Sequence, residues 1–162
     1  MALVNGRYVV LGFLDSVLTT LILGEAVSGT AKLIVIVTII NLITAFMAEY
    51  IEERASLSHI EKSLLRKRGS LLRTSLHRRA IYDALIKGLI FGVVSLVGAS
   101  VTEFSMGILE FFGIPIVPLI VLGGFGTLMS KYFRGNAILW FMLYIVLGLT
   151  VSLLGHVING AY

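Results

Sequence analysis

The segment from Leu33 to Ile51 reads LIVIVTIINLITAFMAEYI, and Glu49 is the only charged residue among its nineteen. A helix rises about 1.5 Å per residue, so a helix of this length nearly matches a hydrocarbon core of about 30 Å. Its apolar residues form a block and do not alternate with polar ones, as they would in the strands of a membrane β-barrel. We therefore predict a transmembrane helix here.

Four more apolar segments flank this one, at Tyr8–Val27, Ala84–Thr102, Ile114–Ser130 and Ala137–Ile158. The chain is 57% hydrophobic and 14% charged, whereas a soluble domain has about 45–50% apolar and 25% charged residues. A water-soluble globule is excluded. Residues 1–162 are predicted to form one all-α, polytopic membrane domain with five transmembrane helices, the first of which lacks a signal-peptide cleavage pattern and is expected to be retained.

Basic residues concentrate between the second and third helices. Nine of the 13 Lys and Arg residues lie there or in the first turn of the third segment: Arg54, Lys62, Arg66, Lys67, Arg68, Arg73, Arg78, Arg79 and Lys87. Lys and Arg in short loops stay on the cytoplasmic side of a membrane. The N-terminus is therefore predicted to be cytoplasmic and the C-terminus external, which also places Arg7, Lys131 and Arg134 inside and leaves Lys32 outside.

The connector from Glu52 to Asp83 has apolar residues at three- and four-residue intervals, with a break at Gly69-Ser70. This spacing predicts two amphipathic helices that continue the second and third membrane helices into the cytoplasm as a basic hairpin. Its cations are expected to face anionic lipid headgroups. Nucleic acid is not expected as a partner.

Asp15 lies inside the first apolar segment, about 10 Å from its cytoplasmic end. An ionisable residue at this depth costs several kcal/mol and is a functional-site candidate. Thr19, at i+4, shares its helix face. Two interpretations remain open: Asp15 takes part in transport, or a protonated Asp15 only hydrogen-bonds a neighbouring helix.

The second helix carries a polar stripe that includes Asn41 and Thr44, and Glu49 lies near its cytoplasmic end, about 80° away from Asn41 on a straight helix. Glu49 either guards an ion entrance or extends into the headgroup region. With Asp15 and Thr19, these residues form the predicted transport path. At the other side of the membrane, Glu103 and Glu110 bracket a short loop, where they are either solvated or accept ions at an exit.

The chain has no cysteine, and its three histidines are widely separated. Disulfides, thiol catalysis and a histidine metal cluster are therefore excluded. The sequence also lacks the His-Glu-x-x-His and Gly-x-Ser-x-Gly motifs. An enzyme is not expected.

Two motifs lie within the first 54 residues. The first helix contains Arg7-x-x-Val10-x-Gly12-x-x-Asp15, followed by Thr19 and Gly24. The second helix ends on Ala48-Glu49-Tyr50, followed by Glu52, Glu53 and Arg54. The first motif resembles the first-helix signature of the vacuolar iron transporter family, which includes the nodulin-like transporters. The second is similar to that family's Gly-Glu-Tyr motif and its charged continuation.

The resemblance implies a parallel homodimer of five-helix protomers that exports divalent iron or manganese from the cytosol in exchange for protons. It makes Asp15 the metal ligand or proton carrier in the membrane and Glu49 an entrance carboxylate, with Glu52 and Glu53 as further metal ligands. The metal is the substrate, and no cofactor is expected to be bound permanently. The protein would lie in the cell membrane of a prokaryote or a vacuole-like membrane of a eukaryote.

Several positions depart from the family pattern. Ser16 replaces the usual Gly after the Asp, and Ala45 stands where the family has Met, four residues before Glu49. Met47 lies about 200° around a straight helix from Glu49 and does not replace that thioether. The remaining ligands are oxygens, which suit Mn, Mg or Fe(II) with little selectivity.

A second function stays open at this point. The chain could be a non-transporting membrane scaffold whose basic hairpin binds anionic lipid or an acidic partner.

Overall fold

The computed structural model describes residues 2–24, 30–63, 74–111 and 114–159. Helices account for nearly all of these residues: α1 (Ala2–Leu23), α2 (Thr30–Ser63), α3 (Ser75–Met106), α4 (Ile116–Tyr132) and α5 (Ala137–Asn159). Helices α1, α2, α3 and α5 are long and apolar enough to cross a membrane, whereas α4 has 17 residues. The predicted all-α membrane class is confirmed at this level.

Two helices run well beyond the predicted apolar segments. Helix α2 continues to Ser63 and α3 begins at Ser75. Both therefore extend into the predicted connector, 52–83, while its predicted break at Gly69-Ser70 lies outside the described residues. The end of the first predicted segment, at Val27, also lies outside them.

A short antiparallel hairpin precedes α4. Strands β1 (Glu110–Phe111) and β2 (Ile114–Pro115) pair with Glu110 opposite Pro115. Helix α4 therefore begins two residues later than predicted. Pro115 stands just before it, where its missing N–H costs no helical hydrogen bond.

Helix α2 packs on α3 along a line of residues spaced by four. Its buried residues up to position 49 are Leu33, Val37, Asn41, Ala45 and Glu49. A helical turn has 3.6 residues, so residues spaced by four are each rotated by about 40° from the one before. The line of contact therefore winds around α2, as it does when two helices cross at an angle. This explains why Glu49 shares the buried face with Asn41 although a straight helix separates them by about 80°.

Small residues on α3 allow this close approach. Every buried residue of α3 is Gly, Ala, Ser or Thr. A Cβ atom at Gly88 would lie 3.0 Å from Phe46 Cβ and 3.1 Å from Phe46 Cα. At the α1–α3 contact, a Cβ at Gly98 would collide with Ser16 Oγ. The glycines noted in the sequence thus act in helix packing, as small residues commonly do in membranes.

Helix α1 contacts all four other helices, and α3 most extensively. Its buried residues Phe13, Val17 and Leu21 form one apolar core with Leu122 of α4 and Tyr144 of α5. The outer faces of α2 and α5 expose many large apolar side chains, such as Ile39, Ile43 and Val146. An exposed apolar surface of this extent is compatible with an integral membrane protein.

Candidate functional site

Asp15 lies on the outward face of α1. Arg7, Leu11 and Asp15, spaced by four residues, are exposed, and Leu18 continues the same line half-buried. We call these four residues the α1 stripe. The buried face of α1 lies on the opposite side, around Phe13 and Val17.

Among the described residues of the protomer, none forms a hydrogen bond or ion pair with the Asp15 carboxyl group. A charged carboxylate near the middle of a bilayer costs roughly 2.5–3.5 kcal/mol by insertion measurements. No side chain in the described part of the protomer offsets this cost. A proton would remove the charge of Asp15, a cation would neutralise it, and a second protein surface could supply hydrogen bonds to it.

Glu49 has a very different environment. It is 5% exposed, and the Lys87 ammonium donates hydrogen bonds to Glu49 Oε2 at 2.9 Å and to Glu53 Oε1 at 3.0 Å. The Lys87 ammonium also lies 5.9 Å from the centroid of the Tyr8 ring, within the range of a cation–π contact. These four residues, which we call the Lys87 cluster, connect α1, α2 and α3.

The Lys87 cluster bears on the predicted entrance role of Glu49. One ammonium group is shared by two carboxylates, so the cluster keeps a formal charge of −1 when all three groups are ionised. A divalent cation that used Glu49 and Glu53 as ligands would have to displace Lys87. Glu52 is exposed and takes no part in the cluster.

The sequence indicated Lys87 only as one of the basic residues and did not assign it to the site. The signal was its place inside the third apolar segment, where a cation requires a counter-ion. Because consecutive membrane helices run antiparallel, the start of α3 lies beside the predicted cytoplasmic end of α2. That arrangement brings Lys87 opposite Glu49.

The other predicted path residues lie in three different environments. Asn41 is buried between α2 and α3 and donates from Nδ2 to Ser95 Oγ at 2.8 Å. Thr44 is exposed on the outer face of α2, and Thr19 is half-buried on α1. Asn41 therefore has a clear packing role, which sequence reasoning did not anticipate.

Asp15 and the Lys87 cluster are separated along α1. Tyr8, the α1 residue of the cluster, precedes Asp15 by two helical turns, or about 10 Å of rise. No group of three or more His, Cys, Asp or Glu side chains that could hold a metal ion occurs within the described ranges. Asp15 belongs to no such group within these ranges, and water or a second copy of the chain could supply further ligands to a metal there.

Comparison with known proteins gives one distant relative. An uncharacterized protein of Methanocaldococcus jannaschii is 28% identical over 173 aligned positions, which cover 96% of this chain and 89% of that protein. No family model and no solved structure matches the chain. The relative supports a fold shared over nearly the entire length and assigns no activity.

Proposed function

We propose that the protein is a secondary transporter that exports divalent metal cations of the iron or manganese class from the cytosol in exchange for protons. The observation that carries the proposal is the Asp15 carboxyl group on the outward face of a membrane helix, where no described residue pairs with it. The resemblance of the Asp15 and Glu49 motifs to vacuolar iron transporters supplies the ion class. No enzymatic activity and no permanently bound cofactor are part of the proposal.

Asp15 can couple metal and proton because desolvation favours its neutral form, whereas a divalent cation favours the carboxylate. The carboxyl group then holds either a proton or a metal ion. Mutually exclusive occupancy is the basic requirement of antiport, since each ion must leave before the other binds.

A parallel homodimer would complete the site. In the α1 stripe, Arg7, Leu11, Asp15 and Leu18 follow at intervals of four, four and three residues, a spacing suited to a seam between two helices. An isologous contact along this stripe would bring two copies of Asp15 together. Two carboxylates can share one divalent cation, or one of them can retain a proton.

Five membrane crossings are supported by where the helix ends meet. Gly6, near the start of α1, faces Tyr132 at the end of α4, while Gly24, after α1, faces Met106 at the end of α3. The short hairpin joins the end of α3 to the start of α4, so α4 begins near Gly24 and ends near Gly6. Helix α4 thus spans the bundle from end to end although its length is only about 26 Å. A small hydrophobic mismatch of this kind costs fractions of a kcal/mol per Å.

The proposed topology has the N-terminus and the basic connector in the cytoplasm. We expect a membrane-impermeant maleimide to label Tyr162→Cys in intact cells and to label Ser70→Cys only after the cells are opened. The native chain has no cysteine, so each variant reports a single position. Labelling of Ser70→Cys from outside intact cells would contradict the topology.

The proposed dimer makes a second prediction. We expect Leu11→Cys, on the α1 stripe and 40% exposed, to form symmetric cross-links between two protomers in the membrane. Ile39→Cys, on the outer face of α2 and 51% exposed, is the control and should remain largely uncrosslinked. If α1 cysteines cross-linked only to α4 cysteines such as Leu128→Cys, the symmetric arrangement along α1 would be refuted.

Transport is tested directly in proteoliposomes that contain a pH-sensitive dye. In some of the reconstituted molecules, the cytoplasmic side faces the outside of the vesicle. When Mn²⁺ is added outside, these molecules should carry the metal into the lumen and protons out of it, so the luminal pH should rise. Protein-free vesicles give the background. The scaffold alternative, which is favoured by exposed Lys62, Arg78 and Arg79 near the connector, predicts vesicle binding through anionic lipid without any pH change.

A further inference from the structure

A cavity lies beside the β1–β2 hairpin, at the end of the bundle opposite the Lys87 cluster. Its volume is about 250 Å³, and α1, α3, α5 and both strands contribute to its wall. We call it the hairpin cavity. Its lining residues include Glu103, Gly107, Glu110 and Ser152.

Two carboxylates line this cavity. The Oε2 atom of Glu103 is buried and has no hydrogen-bond partner among the described residues. Glu110, on β1, is exposed. Neither residue forms an ion pair with a described Lys, Arg or His. Within the described ranges, no basic side chain therefore compensates the formal negative charge of the cavity.

Ser152 gives an independent sign of a ligand. It is 5% exposed, lines the cavity from α5 and makes no hydrogen bond to another described residue. Five other helical serines satisfy their hydroxyl group with a carbonyl oxygen three or four residues earlier, and the buried Ser95 accepts a hydrogen bond from Asn41. The five are Ser16, Ser63, Ser100, Ser105 and Ser130. The hydroxyl group of Ser152 is instead available to the cavity.

The dimensions and donor atoms fit a hydrated cation. A water molecule takes about 30 Å³ in the liquid, so the cavity has room for roughly eight waters, or for an ion with its first hydration shell. Carboxylate and hydroxyl oxygens are ligands of hard divalent cations, which commonly retain several waters in protein sites. Two carboxylates also balance the charge of one such ion.

We propose that the hairpin cavity binds one hydrated divalent cation through Glu103, Glu110 and the Ser152 hydroxyl group. Binding here depends only on the described cavity and its charges. Its placement on the external side, as the last site that an exported ion meets before release, rests on the proposed transport function.

The test uses the full-length protein in lipid nanodiscs with Mn²⁺ as the probe. A nitroxide is attached to Gly107→Cys, because Gly107 lines the cavity and a Cβ there has no heavy atom within 4 Å. Paramagnetic broadening of this label by Mn²⁺ should saturate and should be reversed by excess diamagnetic Mg²⁺. A label at Lys131→Cys, exposed in the last turn of α4 at the opposite end of the bundle, reports non-specific broadening.

In the Gly107→Cys background, Glu103→Gln should raise the half-saturating Mn²⁺ concentration by at least about tenfold. Removal of a residue that only hydrogen-bonds a metal ligand already lowers metal affinity by about this factor. Glu110→Gln, at an exposed position, should act in the same direction, and Ser152→Ala should act more weakly. The matched control is Asp83→Asn, which removes an exposed carboxylate at the other end of the bundle, outside the proposed path, and should leave the curve unchanged.

The same assay separates this inference from the transport proposal. Asp15→Asn should keep the saturable broadening at position 107, whether or not the unmodified protein transports metal. Non-saturable broadening, or a curve unchanged by both Glu103→Gln and Glu110→Gln, would overturn the hairpin-cavity site. Neither result would bear on the role of Asp15, which the transport assay tests separately.

Discussion

Asp15→Asn protein is expected to fold, to form the same dimer and to lose metal-driven proton exchange. The substitution keeps the size of the side chain and most of its hydrogen-bonding capacity but removes the group that would carry the proton and bind the metal. In proteoliposomes, the rise in luminal pH on Mn²⁺ addition should fall to the level of protein-free vesicles. For the unmodified protein, Mn²⁺ affinity should increase with pH, because the metal binds only after the carboxyl group has lost its proton.

A second carboxylate provides the control for this experiment. Asp83 is exposed on α3, near the edge of the predicted connector, and Asp83→Asn makes the same chemical change outside the proposed path. It should exchange at the unmodified rate. If Asp15→Asn moved Mn²⁺ with the rate and pH dependence of the unmodified protein, Asp15 would not be the coupling residue.

Apolar segments were easy to predict because the bilayer requires about 20 apolar residues per helix, whatever the neighbouring helices are. The outward position of Asp15 could not be predicted in the same way. Its helix has apolar residues all round, including Leu14 and Leu18 beside it, so hydropathy does not distinguish the packed face from the outer face. The distinction depends on which helices surround α1, and this is a property of the tertiary fold.

Pairing between helices was the least predictable part of the candidate site. Asn41 and Glu49 belong to one buried line because α2 crosses α3 at an angle, whereas a straight helix places them on different faces. The crossing depends on the small residues of α3, which sequence analysis associated only with tight packing. The partners of these polar groups, Ser95 and Lys87, follow from that crossing.

Lys87→Gln is expected to destabilise the protein because it leaves Glu49 buried without its cation. The side chains of Lys87 and Glu49 are 20% and 6% exposed. Removal of one partner of such a pair costs on the order of 3 kcal/mol, whereas removal of both is often nearly neutral. We therefore expect Lys87→Gln to lower the thermal unfolding temperature in detergent and the double variant Glu49→Gln/Lys87→Gln to recover much of the loss. Lys62→Gln, at an exposed position near the end of α2, should have little effect.

The same variant tests whether the Lys87 cluster can hold a metal. Without the ammonium group, Glu49 and Glu53 form a pair of carboxylates that face the space left by Lys87. Mn²⁺ should then stabilise Lys87→Gln more than it stabilises the unmodified protein, in which the cation must first displace Lys87. The double variant, which retains only Glu53, should lose most of this dependence on Mn²⁺. A Lys87→Gln protein as stable as the unmodified one would contradict the stabilising role of the Lys87–Glu49 pair. A Lys87→Gln protein that gains no stability from Mn²⁺ would show that these carboxylates do not serve as an entrance site.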